Sequence, residues 1–297
     1  MNKQMMKPKR LIAAGTIASA ALMLALAPLN MGGCSASTIG NAVGGAVGGT
    51  TGNLISAGGK AAQAATLSEK QENAMGQSVS VAIVNQYGLD PNVALNKYVS
   101  LVGAAVVSTS PRPDIPFVFG VLNTDEVNAF AGPAGYIMIT RGAIMKMQDE
   151  SELAGALAHE IGHVIDKHGL NAMKQAGMLD AAVTAANSVE EVAKWSQATD
   201  SVVDVVLKKG YSRDQESRAD LLAVDYVIAA GYDPNGYHRF LQRMGATKAP
   251  SGHPAMSTHP GLGDRANRVA AKIKEKGSPA GATLADRFKK NVAKPSV

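Results

Sequence analysis

From about residue 66 to 278, apolar positions recur at intervals of three and four, with Gly, Pro and Asp punctuating the ends of the runs. That period belongs to helices. Leu153, Ala156, Leu157, Ile161 and Val164 make one apolar stripe, opened by Asp149 and Glu152 at the spacing of a capping box, with Ser151 as a second N-cap candidate. Ala219, Leu222, Ala223, Tyr226 and Val227 make another, on a helix from about Arg213 to Ala230 that Gly231 stops. Ser68 with Gln71 opens an earlier helix, and Asp90-Pro91 and Asp233-Pro234 open two more with Pro at the first helical position. Helix formers resume near Asp264, and the Ala- and Val-rich stretch from Leu170 to Val206 predicts one or two helices packed beside their neighbours. Only Phe117–Leu122 and Tyr136–Thr140 read as strands, bracketed by Pro and Gly, with Val127–Ala131 between them. The pattern predicts an α+β domain, mainly α-helical, with a small β-sheet.

The first stripe carries chemistry on its opposite face. His159-Glu160-Ile161-Gly162-His163 is an HExxH sequence, whose two histidines lie one turn apart and can ligate one metal ion. Glu160 projects beside them, where a carboxylate can take a proton from a zinc-activated water and pass it to a leaving amine. Gly162 is a poor helix former, so its place implies a close approach of another element. His168 falls just past the helix, where the C-terminal carbonyls are its expected partners.

A hydrolytic zinc site takes three protein ligands and a water. On the second stripe, Glu216 and Asp220 stand one turn apart on a common edge. Alone, they read as a solvated acidic face paired with Arg213 and Arg218. Beside HExxH, Glu216 suits the metal, and Asp220 suits the outer ring nitrogen of a ligating histidine.

Three segments in order, Val127-Asn128-Ala129-Phe130-Ala131, His159 to His163, and Glu216-Ser217-Arg218-Ala219-Asp220, resemble the M48 family of metallopeptidases. Ser257-Thr258-His259-Pro260 followed by Arg265 resembles a histidine-proline segment of its soluble bacterial members. Gly132-Pro133-Ala134-Gly135 departs from the adjacent glycines that relatives often carry there. The resemblance implies a gluzincin-type zincin fold, one Zn2+ per chain on His159, His163 and Glu216, and Glu160 as catalytic base. It also implies that Asn128, Ala129 and Phe130 belong to an edge strand that pairs with substrate backbone, a mode with little sequence preference. His259 precedes Pro260 and so lies on an extended or turning loop. From there its imidazole can serve as a fourth ligand that quiets the enzyme, or as a catalytic donor to the developing oxyanion. His253, also followed by proline, is its rival for this role.

The N-terminus adds location. Lys3, Lys7, Lys9 and Arg10 precede an apolar run from Leu11 to Leu29, and Met31-Gly32-Gly33-Cys34 follows. Residues 1–33 read as a lipoprotein signal peptide. Cys34, the chain's sole cysteine, reads as its lipidation site, with Met31 a less usual residue than leucine there. Retention of the apolar run as an inner-membrane anchor is the alternative. Residues 34–65 shift to Gly, Ala, Ser and Thr and predict a tether, although Gly40, Gly44, Gly48 and Gly52 also have the spacing of packed membrane helices. Residues 66–278 are then the metallopeptidase domain and 279–297 a basic flexible tail.

Charge changes little after that. Four of the 29 basic residues and none of the 24 acidic ones lie in residues 1–33, so the remainder is close to neutral. No aromatic-basic patch argues for nucleic acid. The expected protein is an endopeptidase acting on misfolded or envelope proteins, at the periplasmic face of a bacterial outer membrane and held there by lipid. A latent or inactive protease-fold lipoprotein, acting as a chaperone or binding factor in outer-membrane assembly, is the alternative. A structural lipoprotein is a third class, but it has no use for ligands spread over two helices.

Overall fold

The computed structural model describes residues 68–175, 200, 203–204, 206–207, 210–246, 259 and 261–293, without the side chains of 172–175. The signal segment, Cys34, the glycine repeat, His253, Pro260 and most of 176–209 lie outside the described residues.

Helix α1 (Glu69–Tyr87) begins at the expected capping box, in which Ser68 and Gln71 each accept the other's backbone N–H. The second helix, α2 (Val93–Val107), starts later than Asp90-Pro91 predicts. Asp90 Oδ1 accepts from Asn92 N at 2.8 Å, a local turn that spends Asp90 before the helix, and Asn92 becomes the cap. Strands β1 (Val118–Leu122), β2 (Ala129–Ala131) and β3 (Tyr136–Thr140) form one sheet in the order β1-β3-β2. β1 runs parallel to β3, and β2 pairs antiparallel with it in the register Ala129↔Ile139, Phe130↔Met138, Ala131↔Ile137. β2 is thus an edge strand. Thr140 ends β3 and caps the short α3 (Arg141–Met145).

The HExxH helix α4 (Glu150–Ile165) is capped by Asp149, which accepts from Glu152 N. Glu152 reaches one residue further than a capping box requires, accepting from Gln148 N at 3.0 Å. α5 (His168–Gln175) follows, then α6 (Arg213–Ala229), where Ser212 and Gln215 close a second full capping box. α7 (Asn235–Ala246), α8 (Leu262–Glu275) and α9 (Ala285–Val292) complete the described α-helices. α4 and α6 pack closely: a Cβ added at Gly162 would sit 3.3 Å from the Cα and carbonyl oxygen of Ala219. The glycine's cost to the helix is therefore offset by the approach that brings the two acid- and histidine-bearing faces together.

The expectation for the C-terminal end also fails. Residues 279–297 were expected to form a flexible tail, yet α9 buries Phe288 and Val292 in the main core. Its Arg287 pairs with Glu150 at the start of α4, a buried carboxylate that also accepts from Tyr98 Oη (2.8 Å) and Tyr232 Oη (2.7 Å). Partners so far off in sequence leave no local signal. No helix among the described residues is long and apolar enough to cross a membrane.

Candidate metal centre

The donor atoms of His159, His163, Glu216 and His259 lie within 4.8 Å of one another, and all four residues are at most 1% exposed. α4 supplies the histidine pair, α6 the glutamate, and the segment before α8 supplies His259. Nε2 of His163 is 3.0 Å from Nε2 of His159 and 3.4 Å from Glu216 Oε1. His259 Nδ1 is 2.9 Å from Glu216 Oε1 and 3.3 Å from His159 Nε2. Ligands at the corners of a tetrahedron around zinc stand about 3.3 Å apart, given bonds of about 2.0–2.1 Å. The donor set fits such an ion.

Charge points the same way. Glu160, Glu216 and Asp220 are fully buried carboxylates; the fully buried Arg265 guanidinium pairs with Glu216 and Asp220, and Glu160 faces His259. Buried charge is tolerated when it is paired or binds a metal, and this group of acids and imidazoles suits a cation. Arg265 Nη1 stands 3.1 Å from Glu216 Oε2 without hydrogen-bonding geometry, and Nη2 donates to Asp220 Oδ1 at 2.8 Å and to Tyr237 Oη at 2.6 Å.

The outer ring nitrogens are held as well. His159 Nδ1 faces Asp220 Oδ1 at 3.1 Å. His163 Nδ1 instead meets His168 Nδ1 at 2.8 Å, so His168 lies against the histidine pair and not on the helix-end carbonyls expected of it. Burial and the Arg265 charge press the His159 pKa down, but its bonds to Asp220 and Glu216 outweigh them and hold it up to about 9. Burial, then the neighbouring His159, push His163 well below its ordinary value. Burial would raise Glu216, yet His259 and the histidine pair hold it far below the carboxylate range.

Glu160 faces the cluster from α4. One carboxylate oxygen, Oε1, is 3.5 Å from His259 Nε2; the other, Oε2, is buried with no hydrogen-bond partner among the described residues. Beside it, Ile139, Met147, Ala156 and Phe240 wall an apolar space of about 10 Å³, room for one water. The larger cavity, about 360 Å³, lies further out among Glu72, Arg112, Asp114, Ala134 and Lys167. Asn128 and Ala129 border the small space, and Phe130 is buried with Met138 and Leu207 on the far side of β2. Sequence reasoning missed Tyr237 and Tyr211, whose ring stacks on His163 at 4.0 Å, and gave His168 other partners than it has. Tyr211 stands five residues before Glu216, and only that nearness hinted at it.

A family profile described as Peptidase family M48 matches residues 94–273. Among curated proteins, the putative beta-barrel assembly-enhancing protease of Vibrio cholerae is 28% identical over 213 residues, covering 67% of this chain and 43% of the relative. The beta-barrel assembly-enhancing protease of Escherichia coli is 28% identical over 222 residues, 69% of this chain and 45% of that protein. Metalloprotease YcaL of Escherichia coli is 29% identical over 161 residues, 53% and 63% of the two chains. The chain thus spans less than half the length of the two assembly-enhancing relatives.

Proposed function

The chain belongs to peptidase family M48, and on that premise we propose that it is a zinc-dependent endopeptidase of the bacterial envelope. The observation that carries the reading is the Glu160 carboxylate, with one oxygen unpartnered among the described residues, set against four converging donors. His159, His163 and Glu216 would hold the metal, with His259 as the fourth donor of the closed state. The ion, when bound, lends Lewis acidity to the scissile carbonyl and to the attacking water.

The rest falls to the chain's own residues. Glu160 accepts the water's proton and returns it to the departing amine. Asp220 orients the His159 ring, and Arg265 keeps Asp220 in place. The outer edge of β2 would take an extended peptide, so binding is driven by backbone and tolerates many sequences. His259 Nε2 lies 3.4 Å from the Ala129 carbonyl, so the imidazole covers that edge while its Nδ1 faces the ligands. Moving it aside opens both, and the freed ring is then placed to stabilise an oxyanion.

Substrates of the quality-control kind are supported by two relatives named for beta-barrel assembly. Lipidation at Cys34 and residence at the outer membrane rest on the N-terminal sequence. The closed site favours latency over a dead scaffold, because an intact Glu160 has no purpose in a protein that only binds. Purified protein stripped by chelator should lose proteolysis of unfolded casein and regain it with about one equivalent of zinc. Full activity after stripping would overturn the proposal.

A further inference from the structure

Antiparallel pairing divides the backbone of β2 between two sides. Asn128 O accepts from Thr140 N and Gly132 N donates to Tyr136 O, so the even-numbered residues bond toward β3 and the backbone groups of Ala129 and Ala131 face outward. Side chains of this same chain already occupy three of those outward groups. Ala129 N donates to Asn128 Oδ1 at 3.0 Å, and Ala129 O lies 3.4 Å from His259 Nε2. Ala131 O accepts from Tyr211 Oη at 3.2 Å. Carbonyls two residues apart on a strand are separated by roughly 6.5 Å, the repeat at which an added strand presents its own N–H groups. Tyr211 and His259 therefore stand where two donors of a bound peptide would stand.

The two come from separate segments. Tyr211 follows Gly210, which takes φ 68°, and leads into α6; just before it, Val206 and Leu207 are buried with Phe130 of β2. Its ring stacks on His163 whether or not the hydroxyl is there, so ring and hydroxyl have separable duties. Building on the peptide-pairing reading above, we propose that Tyr211 gates the β2 edge. Its hydroxyl holds the Ala131 carbonyl that an incoming peptide N–H must take, and pairing along β2 requires that hydrogen bond to break. His259 controls the neighbouring carbonyl independently, so freeing it alone opens only half of the edge.

The test uses full-length Glu160→Gln protein, which should retain substrate without cutting it, and fluorescein-labelled unfolded β-casein as the probe. Tyr211→Phe in that background removes the hydroxyl and keeps the ring on His163. Casein should bind about fivefold more tightly, the scale of one neutral hydrogen bond that no longer competes, with metal content unchanged. Should that variant fold poorly, Tyr211→Met also lacks a donor and fills similar space. Unchanged or weakened casein binding in a folded variant overturns Tyr211's role. If the wild type does not cut casein and Glu160→Gln does not bind it, the peptidase reading itself fails; firm binding that Tyr211→Phe leaves unaltered overturns the gate alone.

Discussion

Each imidazole of the HExxH pair turns Nε2 toward the cluster and Nδ1 toward a partner, and the two partners differ in kind. His159 has the Asp220 carboxylate; His163 has another imidazole, His168. Outer partners of this sort fix ring orientation and ligand basicity, and their loss typically costs 10–100-fold in metal affinity. His168→Ala should fall in that range by chelator competition, and wild-type affinity would reduce His168 to a packing residue. His259→Ala removes one of four donors, so bound zinc should exchange faster; unchanged exchange and unchanged turnover would make His259 a plain turn residue. The ligand spacing was legible in the sequence because i and i+4 meet on any helix. So was Asp220 as an outer partner, one turn beyond Glu216, but the His168 and Arg265 contacts were not. His168 reaches His163 because Lys167 adopts φ 52° and folds the chain back, and Arg265 meets Asp220 across 45 residues. Neither leaves a periodic trace.

Among the elements, α9 changes the picture most. It ties the far end of α4 through Arg287 to Glu150, whose other partners are Tyr98 of α2 and Tyr232 after α6. Burial would raise the Glu150 pKa, but the bonds from Arg287, Tyr232 and Tyr98 outweigh it and hold the carboxyl below its ordinary value. Because the folded value lies below the unfolded one, the carboxylate stabilises the fold fully above about pH 4.5 and progressively loses that contribution as pH falls through the folded value. Glu150→Gln should therefore cost about 1–3 kcal/mol at neutral pH, from donors left poorly matched. Thermal melts of the two proteins should converge as pH falls below the folded value; a gap that is flat with pH would rule out the carboxylate's charge as the cause. The strands and the helices carrying HExxH and Glu216 were legible because propensity, capping and apolar period agree there. α9 was not, since Phe288 and Val292 are too few to show a period among lysines and arginines, and its docking depends on Glu150, 137 residues away from Arg287.

For the whole molecule, the catalytic reading and the N-terminal reading rest on separate residues and fail separately. If Cys34 is acylated, thioether-linked and further acyl chains together give stable attachment. Cys34→Ser should abolish incorporation of a fatty-acid analogue and leave precursor uncleaved at that site, while absence of label on wild type would remove the lipid anchor. Neither result touches the metal centre. The centre's claim is that Glu160 moves the proton and the four surrounding donors hold the ion, two duties that one substitution separates. The deciding measurement is zinc content and casein hydrolysis, side by side, in purified wild type and Glu160→Gln. Zinc should stay near one per chain while turnover drops by about 10²–10⁴-fold, the scale of a lost general base; hydrolysis at the wild-type rate by Glu160→Gln would contradict the account.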